Sequence, residues 1–352
     1  MKYFCEDLPE LHLCSAGSLL GIHLGPVSFP VGKVSFLTLR PLSFMEFLDA
    51  CGEQRLIEVL SEFDEIGELP GIAHSRLWEL LKAYFVVGGM PEAVKTYISL
   101  KDTTRNFYSD VRLKQEEIIE SYYADIAKHA GKVNSMHITR VLRSVPAQLQ
   151  RVIDGSVAKY RIKGVVPGIS HYNRLAGAID WLEAAGLVIK IPIINYGKAP
   201  LMAYSRETYF KMMLFDVGIM GCMVGLSPRV LLDYNYGTYK GFFAENFVAQ
   251  EFLASSKAGL FSWSEKTAEI EFLREVAGEV VPVEVKSGTI TKAKSLQVFT
   301  SKYQPPFSII LSGKPANLKG AHTRYYPLYM ANKVARLDLS NETTRYSVVC
   351  LD

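Results

Sequence analysis

The alternation of apolar and polar positions separates a helical first part of the chain from a mixed last part. Residues 11–21 combine apolar positions with a Gly/Ser turn, which predicts a short buried strand near the start. From Pro41 the apolar residues recur at helical spacing, and we expect helices at 41–48, 75–87 and 91–100. Residues 105–129 continue this spacing, so the pattern predicts one helical block.

The middle of the chain predicts two further helices separated by a break. Helical spacing over residues 134–153 is interrupted by a loop around Pro146. A Gly- and Pro-rich turn follows at 164–170, and Ser170 is expected to cap a helix at 171–185. The sequence therefore predicts a helix, a turn and a second helix.

Two strands follow these helices, at 187–194 and 201–204, with a turn between them. Two helices followed by a hairpin is the element order of a winged helix-turn-helix. In such a module the front of the second helix faces a nucleic-acid groove, and that position is occupied here by Tyr172, Asn173 and Arg174. A module that packs against its neighbours and touches no nucleic acid has the same pattern.

The last third alternates strands with helices. A helix at 239–255 is followed by strands at 260–263, 269–273 and 280–286, then by a helix at 291–303 and a strand at 307–311. This α-β-β-β-α-β order predicts a compact α/β domain.

Carboxylates and a lysine lie at matching positions of these elements. Because side chains alternate along a strand, Glu284 and Lys286 share one face of their strand, and Glu269 and Glu271 share one face of theirs. Carboxylates from adjacent strands are the ligands that Mg²⁺ prefers, so Glu271 and Glu284 are candidate metal ligands. The candidate catalytic residues are Glu245, Glu271, Glu284, Lys286 and Gln297, with Lys240 nearby. A surface ladder of ion pairs is the alternative interpretation.

Charge is distributed unevenly along the 352 residues, whose net charge is +3. Residues 1–100 carry 7 basic and 13 acidic side chains, whereas 126–179 carry nine basic residues and a single acid, Asp154. The basic run predicts a phosphate-binding surface, and a face that docks on the acidic first hundred residues is the alternative. The candidate DNA-binding residues outside the helix front are Arg140, Arg143, Arg151, Lys159, Arg161 and Lys163.

Composition excludes several classes of protein. With 49% hydrophobic and 21% charged residues, the chain is typical of folded proteins rather than disordered ones. The start lacks the pattern of a secretory signal, and the most apolar stretch, 212–226, is too short to span a membrane. Five scattered cysteines fit a reducing compartment, so the sequence predicts a cytoplasmic protein with no membrane partner.

Several short motifs occur in an order that resembles a known family. They are Pro-Leu-Ser-Phe-Met-Glu-Phe-Leu at 41–48, Gly-Gly-Met-Pro-Glu-Ala-Val at 88–94, Asp-Val-Gly at 216–218, Glu-Asn at 245–246 and Val-Pro-Val-Glu-Val-Lys-Ser at 281–287. From Leu11 onward the chain resembles bacterial and archaeal AAA-superfamily ATPases that end in a C-terminal domain of unknown function. The resemblance implies a P-loop ATPase module, a helical lid, a winged helix and a restriction-endonuclease-like domain.

The chain departs from that family in its nucleotide-binding motifs. It has no Gly-x-x-x-x-Gly-Lys-Ser/Thr loop, and no apolar strand ending in Asp-Glu precedes Leu11, so no nucleotide-binding residue is assigned. The resemblance therefore implies an N-terminally truncated chain that binds ATP only with an upstream P-loop segment. Glu-Ile-Glu-Phe at 269–272 also places Glu271 where the family has Asp.

Together these observations predict an α/β multidomain fold. The expected domains are a remnant of the AAA ATPase sheet at 1–40, a helical lid at 41–104, a helical and winged-helix module at 105–225, and a restriction-endonuclease-like domain at 226–352. Our first hypothesis is a DNA-associated fragment of an AAA-family protein without ATPase activity of its own. A Mg²⁺-dependent DNA endonuclease and a protein-interaction module of a split ATPase are the alternatives, with an upstream ATPase segment or a second copy as partner.

Overall fold

The computed structural model describes residues 2–8, 10–17, 32–33, 35–63, 69–149, 159–234, 239–289, 293–317 and 322–337. The first part of the chain is helical. Its helices are α1 (Lys2–Asp7), α2 (Phe44–Ala50), α3 (Gln54–Glu62), α4 (Gly71–Val87), α5 (Pro91–Leu100), α6 (Phe107–His129) and α7 (Lys132–Leu149).

The rest of the chain alternates strands and helices. The elements are α8 (Ala176–Ala184), β1 (Val188–Ile194), β2 (Phe210–Leu214), α9 (Val217–Met223), α10 (Pro228–Leu232), α11 (Tyr239–Ser255), β3 (Phe261–Glu265), β4 (Ala268–Val276), β5 (Glu279–Val285), α12 (Lys294–Tyr303), β6 (Ser308–Ser312), β7 (Thr323–Pro327) and α13 (Ala331–Ala335). The succession from α11 to β6 has the predicted α-β-β-β-α-β order. The fold is therefore mixed α/β.

The seven strands found in the described residues belong to one sheet with the order β2-β1-β3-β4-β5-β6-β7. The pairs β1–β2, β3–β4 and β4–β5 are antiparallel, whereas β1–β3, β5–β6 and β6–β7 are parallel. The parallel pair β1–β3 joins Ile193 to Ser262 and Ile194 to Trp263. Strands from the predicted segments 105–225 and 226–352 thus lie side by side in the same sheet.

Helices α2 and α4 share their apolar core with α11. Ser43 and Glu46 form a capping box at the start of α2, which directs Phe44 and Phe47 into the interior. Phe44 meets the rings of Tyr84 and Phe247 edge to face, with ring centroids 5.7 and 6.3 Å apart. Burial of these aromatic rings is the dominant stabilising term at this junction.

Two glycine motifs bring α4 and α9 into backbone contact. Asp216 caps α9 by accepting the Ile219 N–H (2.8 Å), and its other oxygen accepts the Gly89 N–H (2.7 Å). A Cβ atom on Gly218 would lie 2.5 Å from the Gly88 nitrogen and 2.6 Å from the Val87 carbonyl carbon. The Gly-Gly and Asp-Val-Gly motifs therefore allow two distant parts of the chain to pack closely together.

The structure corrects four local predictions. Residues 11–17 form no strand and are exposed, because no neighbouring strand pairs with them in the described residues. Helix α7 continues through Pro146, since the buried side chains before it hold it against the core. Ser170 caps no helix: α8 begins at Ala176, after a 3₁₀ turn at Tyr172–Arg174. Residues 201–204 form a 3₁₀ turn, and the strand that pairs with β1 is β2.

None of the helices within the described ranges combines the length and the hydropathy that a membrane span requires.

Candidate functional site

Four carboxylates and two lysines converge where the two segments of the sheet meet. Glu245 extends from α11, Glu269 and Glu271 from β4, and Glu284 from β5, with Lys286 directly after that strand. The sixth member is Lys211, which comes from β2. We call these six residues the carboxylate cluster, and electrostatic interactions link its members to one another.

Lys211 forms the ion pairs on one side of the carboxylate cluster. Its ammonium nitrogen lies 3.6 Å from a carboxylate oxygen of Glu245 and contacts the carboxylate of Glu269 directly. Only 3% of the Lys211 side chain is exposed. Because a buried ammonium is stable only with close counter-charges, these two carboxylates are what allows Lys211 to lie inside the protein.

The other side of the cluster contains the pair that the sequence predicted. The Lys286 ammonium donates to Oε1 of Glu284, and the Val285 N–H donates to Oε2 of Glu271 (3.1 Å). Glu284 is 3% exposed, and its Oε2 has no hydrogen-bond partner among the described residues. A buried carboxylate oxygen without a donor is costly, so this atom is available to a cation or a proton.

Burial changes the protonation of the cluster. It raises the pKa of Glu271 well above the usual value, and the carboxylates of Glu284 and Glu245 add to this effect. It also raises the pKa of Glu245, against the opposing attraction of Lys211. The pKa of Lys286 is raised, because Glu271 and Glu284 outweigh the effect of burial. Burial therefore favours the protonated forms of Glu271 and Glu245, whereas the neighbouring carboxylates favour the charged form of Lys286.

The donor atoms of the cluster suit a hard divalent cation only in part. Glu271 and Glu284 supply oxygen ligands from adjacent strands, which fits a Mg²⁺ ion that keeps several waters. No group of three or more His, Cys, Asp or Glu side chains in the described residues is arranged to hold a metal. Two protein ligands with Lys286 beside them would supply charge neutralisation for a phosphate group.

Two residues predicted for this site lie elsewhere. Gln297 is exposed on α12, and the hydrogen bonds found for it are those of its backbone. Lys240 lies over the ring of Tyr234, with its nitrogen 4.9 Å from the ring centroid. Lys240 precedes Glu245 on α11 and Gln297 lies on the helix that follows β5, but neither side chain makes a hydrogen bond or ion pair with the carboxylates in the described residues.

A second site is a basic groove along α7. It has a volume of about 270 Å³ and is lined by Arg140, Arg143, Ser144, Ala147, Gln148, Gly164 and Val165. Arg140 and Arg143 are exposed one helical turn apart, and the Arg143 guanidinium lies 4.6 Å from the centroid of the Tyr123 ring. The side chain of Gln148 fixes the opposite wall by bonding the backbone N–H (2.7 Å) and carbonyl (2.8 Å) of Arg161.

The other candidate DNA-binding residues do not line this groove. Lys163, Asn173 and Arg174 are exposed, and Lys159 lies 4.7 Å from the centroid of the Tyr209 ring. Arg161 is exposed, and Arg151 lies outside the described residues.

The prediction that Tyr172 faces a nucleic-acid groove is wrong. Its side chain is buried, and its ring meets the Phe210 ring edge to face at 5.9 Å. The 3₁₀ turn before α8 directs it inward, because the apolar part of the ring completes the core over β2.

Lys211 is the residue of the carboxylate cluster that sequence reasoning missed. The signal was present, because a lysine interrupts the otherwise apolar strand Phe-Lys-Met-Met-Leu at 210–214. A charge at such a position requires a buried partner, but the partners lie 34 or more positions further along the chain.

Comparison with known families gives two matches, both to domains of undetermined role. Residues 78–230 match the model described as Domain of unknown function (DUF8612), and residues 240–330 match Domain of unknown function (DUF4143). The second is a domain usually found in AAA-ATPase-associated proteins, which agrees with the resemblance to chains that end in a C-terminal domain of unknown function. Neither the curated proteins nor the solved structures gave a significant match.

Proposed function

We propose that this chain is a nucleic-acid-binding component of an ATPase-associated protein and that it binds the phosphate backbone of DNA in the α7 groove. The single observation that carries the proposal is the pair Arg140 and Arg143, exposed on successive turns at the edge of a groove of about 270 Å³. Guanidinium groups bind phosphate oxygens in bidentate geometry. The groove therefore supports binding without base specificity.

The charge around the groove supports the same proposal. Nine basic residues and one acid occupy 126–179, so the local field attracts a polyanion from a distance. Exposed Lys163 and Arg174 extend the basic surface beyond the groove itself. We further propose that the chain alone does not hydrolyse ATP, because its sequence has no Gly-Lys-Ser/Thr loop to cradle the phosphates.

DNA binding is tested by fluorescence anisotropy with a labelled duplex over a range of salt concentrations. We expect Arg140→Ala with Arg143→Ala to weaken binding at least tenfold and to lower the salt slope by about 2, since each phosphate contact contributes ~0.9. The control is Arg105→Ala with Arg229→Ala, which removes the same charge from exposed sites outside the groove. Equal weakening by both double variants, or binding insensitive to salt, would contradict the proposal.

A second candidate function is Mg²⁺-dependent phosphodiester cleavage in the carboxylate cluster. The observation that favours it is the placement of Glu271 and Glu284 on adjacent strands, with the Lys286 ammonium bonded to Glu284. In this proposal the two carboxylates hold the metal ion, which supplies an activated water, and Lys286 neutralises the phosphate. Cleavage of DNA with Mg²⁺ or Mn²⁺, lost in both Glu284→Gln and Lys286→Ala, would support it, whereas activity that persists in the variants would show a contaminant.

A further inference from the structure

Lys211 lies in an unusual place for a lysine. The other four residues of β2 are apolar and buried, and Lys211 itself is 3% exposed. Moving an ammonium group from water into such a place costs several kcal/mol unless counter-charges surround it. The burial of the Lys211 ammonium therefore depends on the carboxylates that it contacts.

Those carboxylates belong to a different part of the chain. Glu245 is on α11 and Glu269 is on β4, and both face Lys211 across the junction of the sheet. Glu271 interacts electrostatically with the same ammonium. The Lys211 ammonium thus interacts with three glutamates, whose carboxylate oxygens are of the ligand type that divalent cations prefer.

We propose that Lys211 is an internal cation that withholds Glu245 and Glu269 from metal binding. With the ammonium in place, Glu271 and Glu284 are the carboxylates left for a metal ion, and the orphan Oε2 of Glu284 marks that remaining position. Removal of the ammonium leaves Glu245 and Glu269 without the ion pairs that Lys211 makes with them. A divalent ion can then neutralise these carboxylates and use their oxygen atoms as additional ligands. The inference concerns cation binding alone and requires neither DNA binding nor cleavage.

The test compares Mn²⁺ binding by the wild-type chain and by Lys211→Met, using calorimetry and the shift of the melting temperature. We expect Lys211→Met to bind Mn²⁺ at least tenfold more tightly than the wild type and to be stabilised by Mn²⁺. The matched control is Lys190→Met, a half-buried lysine on the adjacent strand β1 whose ion pairs are with Asp180 and Glu183. This control should bind Mn²⁺ as the wild type does.

A second variant keeps the test decisive if Lys211→Met does not fold. Lys211→Met with Glu269→Gln removes one positive and one negative charge together, so the net charge of the cluster stays that of the wild type while Glu245 loses its lysine. We expect this double variant to fold and to bind Mn²⁺ more tightly than the wild type. Unchanged Mn²⁺ affinity in the folded variants would overturn the proposal. Loss of DNA binding by the groove variants with normal Mn²⁺ behaviour would affect only the proposed function.

Discussion

Glu251 provides the sharpest test of how burial determines the stability of this fold. The side chain is fully buried on α11, and its Oε1 accepts the Phe44 N–H at the start of α2 (2.8 Å). Its Oε2 has no hydrogen-bond partner among the described residues. Burial raises its pKa to about 8, opposed by the Phe44 N–H and reinforced by the negative charge of Glu46. The folded protein therefore holds a proton at Glu251 that the unfolded chain releases near pH 4.5.

The direction of the pH effect follows from this difference. Below pH 4.5 both states are protonated and Glu251 has no effect, whereas between pH 4.5 and about 8 only the folded state keeps the proton. Stability consequently falls as the pH rises through this range. Each pH unit corresponds to ~1.4 kcal/mol, so the total reaches an upper limit of about 5 kcal/mol at pH 8 and above.

Glu251→Gln removes the ionisation and keeps the acceptor for the Phe44 N–H. We expect the variant to match the wild type at pH 5 and to exceed its free energy of unfolding by several kcal/mol at pH 8.5. The measurement is urea unfolding at half-unit pH steps, with Glu58→Gln as an exposed control that keeps the wild-type pH dependence. A stability difference between Glu251→Gln and the wild type that stays constant with pH would refute the argument.

Two further pairs of variants test packing and charge by urea unfolding. Gly218→Ala should lower the free energy of unfolding by about 3 kcal/mol, because its Cβ would press on the backbone of α4. Gly177→Ala, where a Cβ meets nothing within 4 Å, should leave stability unchanged or raise it by up to about 1 kcal/mol. Lys286→Met should cost about 3 kcal/mol by leaving buried Glu284 without its cation, whereas Lys302→Met at the surface should have no measurable effect. Equal effects within either pair would contradict the reasoning.

Local patterns were sufficient for the elements from α11 to β6, whereas β7 and α13 were not predicted. The alternation in Val-Pro-Val-Glu-Val and the turns on either side predict β5, and the same period places Glu284 beside Lys286. The helix that carries Glu245 also begins and ends where the apolar spacing indicated. These features depend on residues that are a few positions apart, and such local spacing is what a periodic sequence pattern reports.

The errors arose where a distant contact overrides the local pattern. The sequence places Tyr172 where a winged helix would face nucleic acid, but its ring is buried against Phe210 in the core over β2. Pro146 is a helix breaker, but the loss of one backbone hydrogen bond is offset by the buried apolar face of α7. Tertiary packing determined both outcomes.

The junction of the sheet explains why the carboxylate cluster could be only half predicted. The two family matches end and begin between residues 230 and 240, so each covers strands on one side of the β1–β3 pair. Glu245, Glu271 and Glu284 lie in the second match, so the sequence of that segment alone predicts Glu271 and Glu284 as candidate metal ligands. Lys211 lies in the first match and enters that site from the neighbouring strand. The chemistry of the cluster is therefore a property of the two segments together, and the charge of Lys211 decides what the carboxylates can bind.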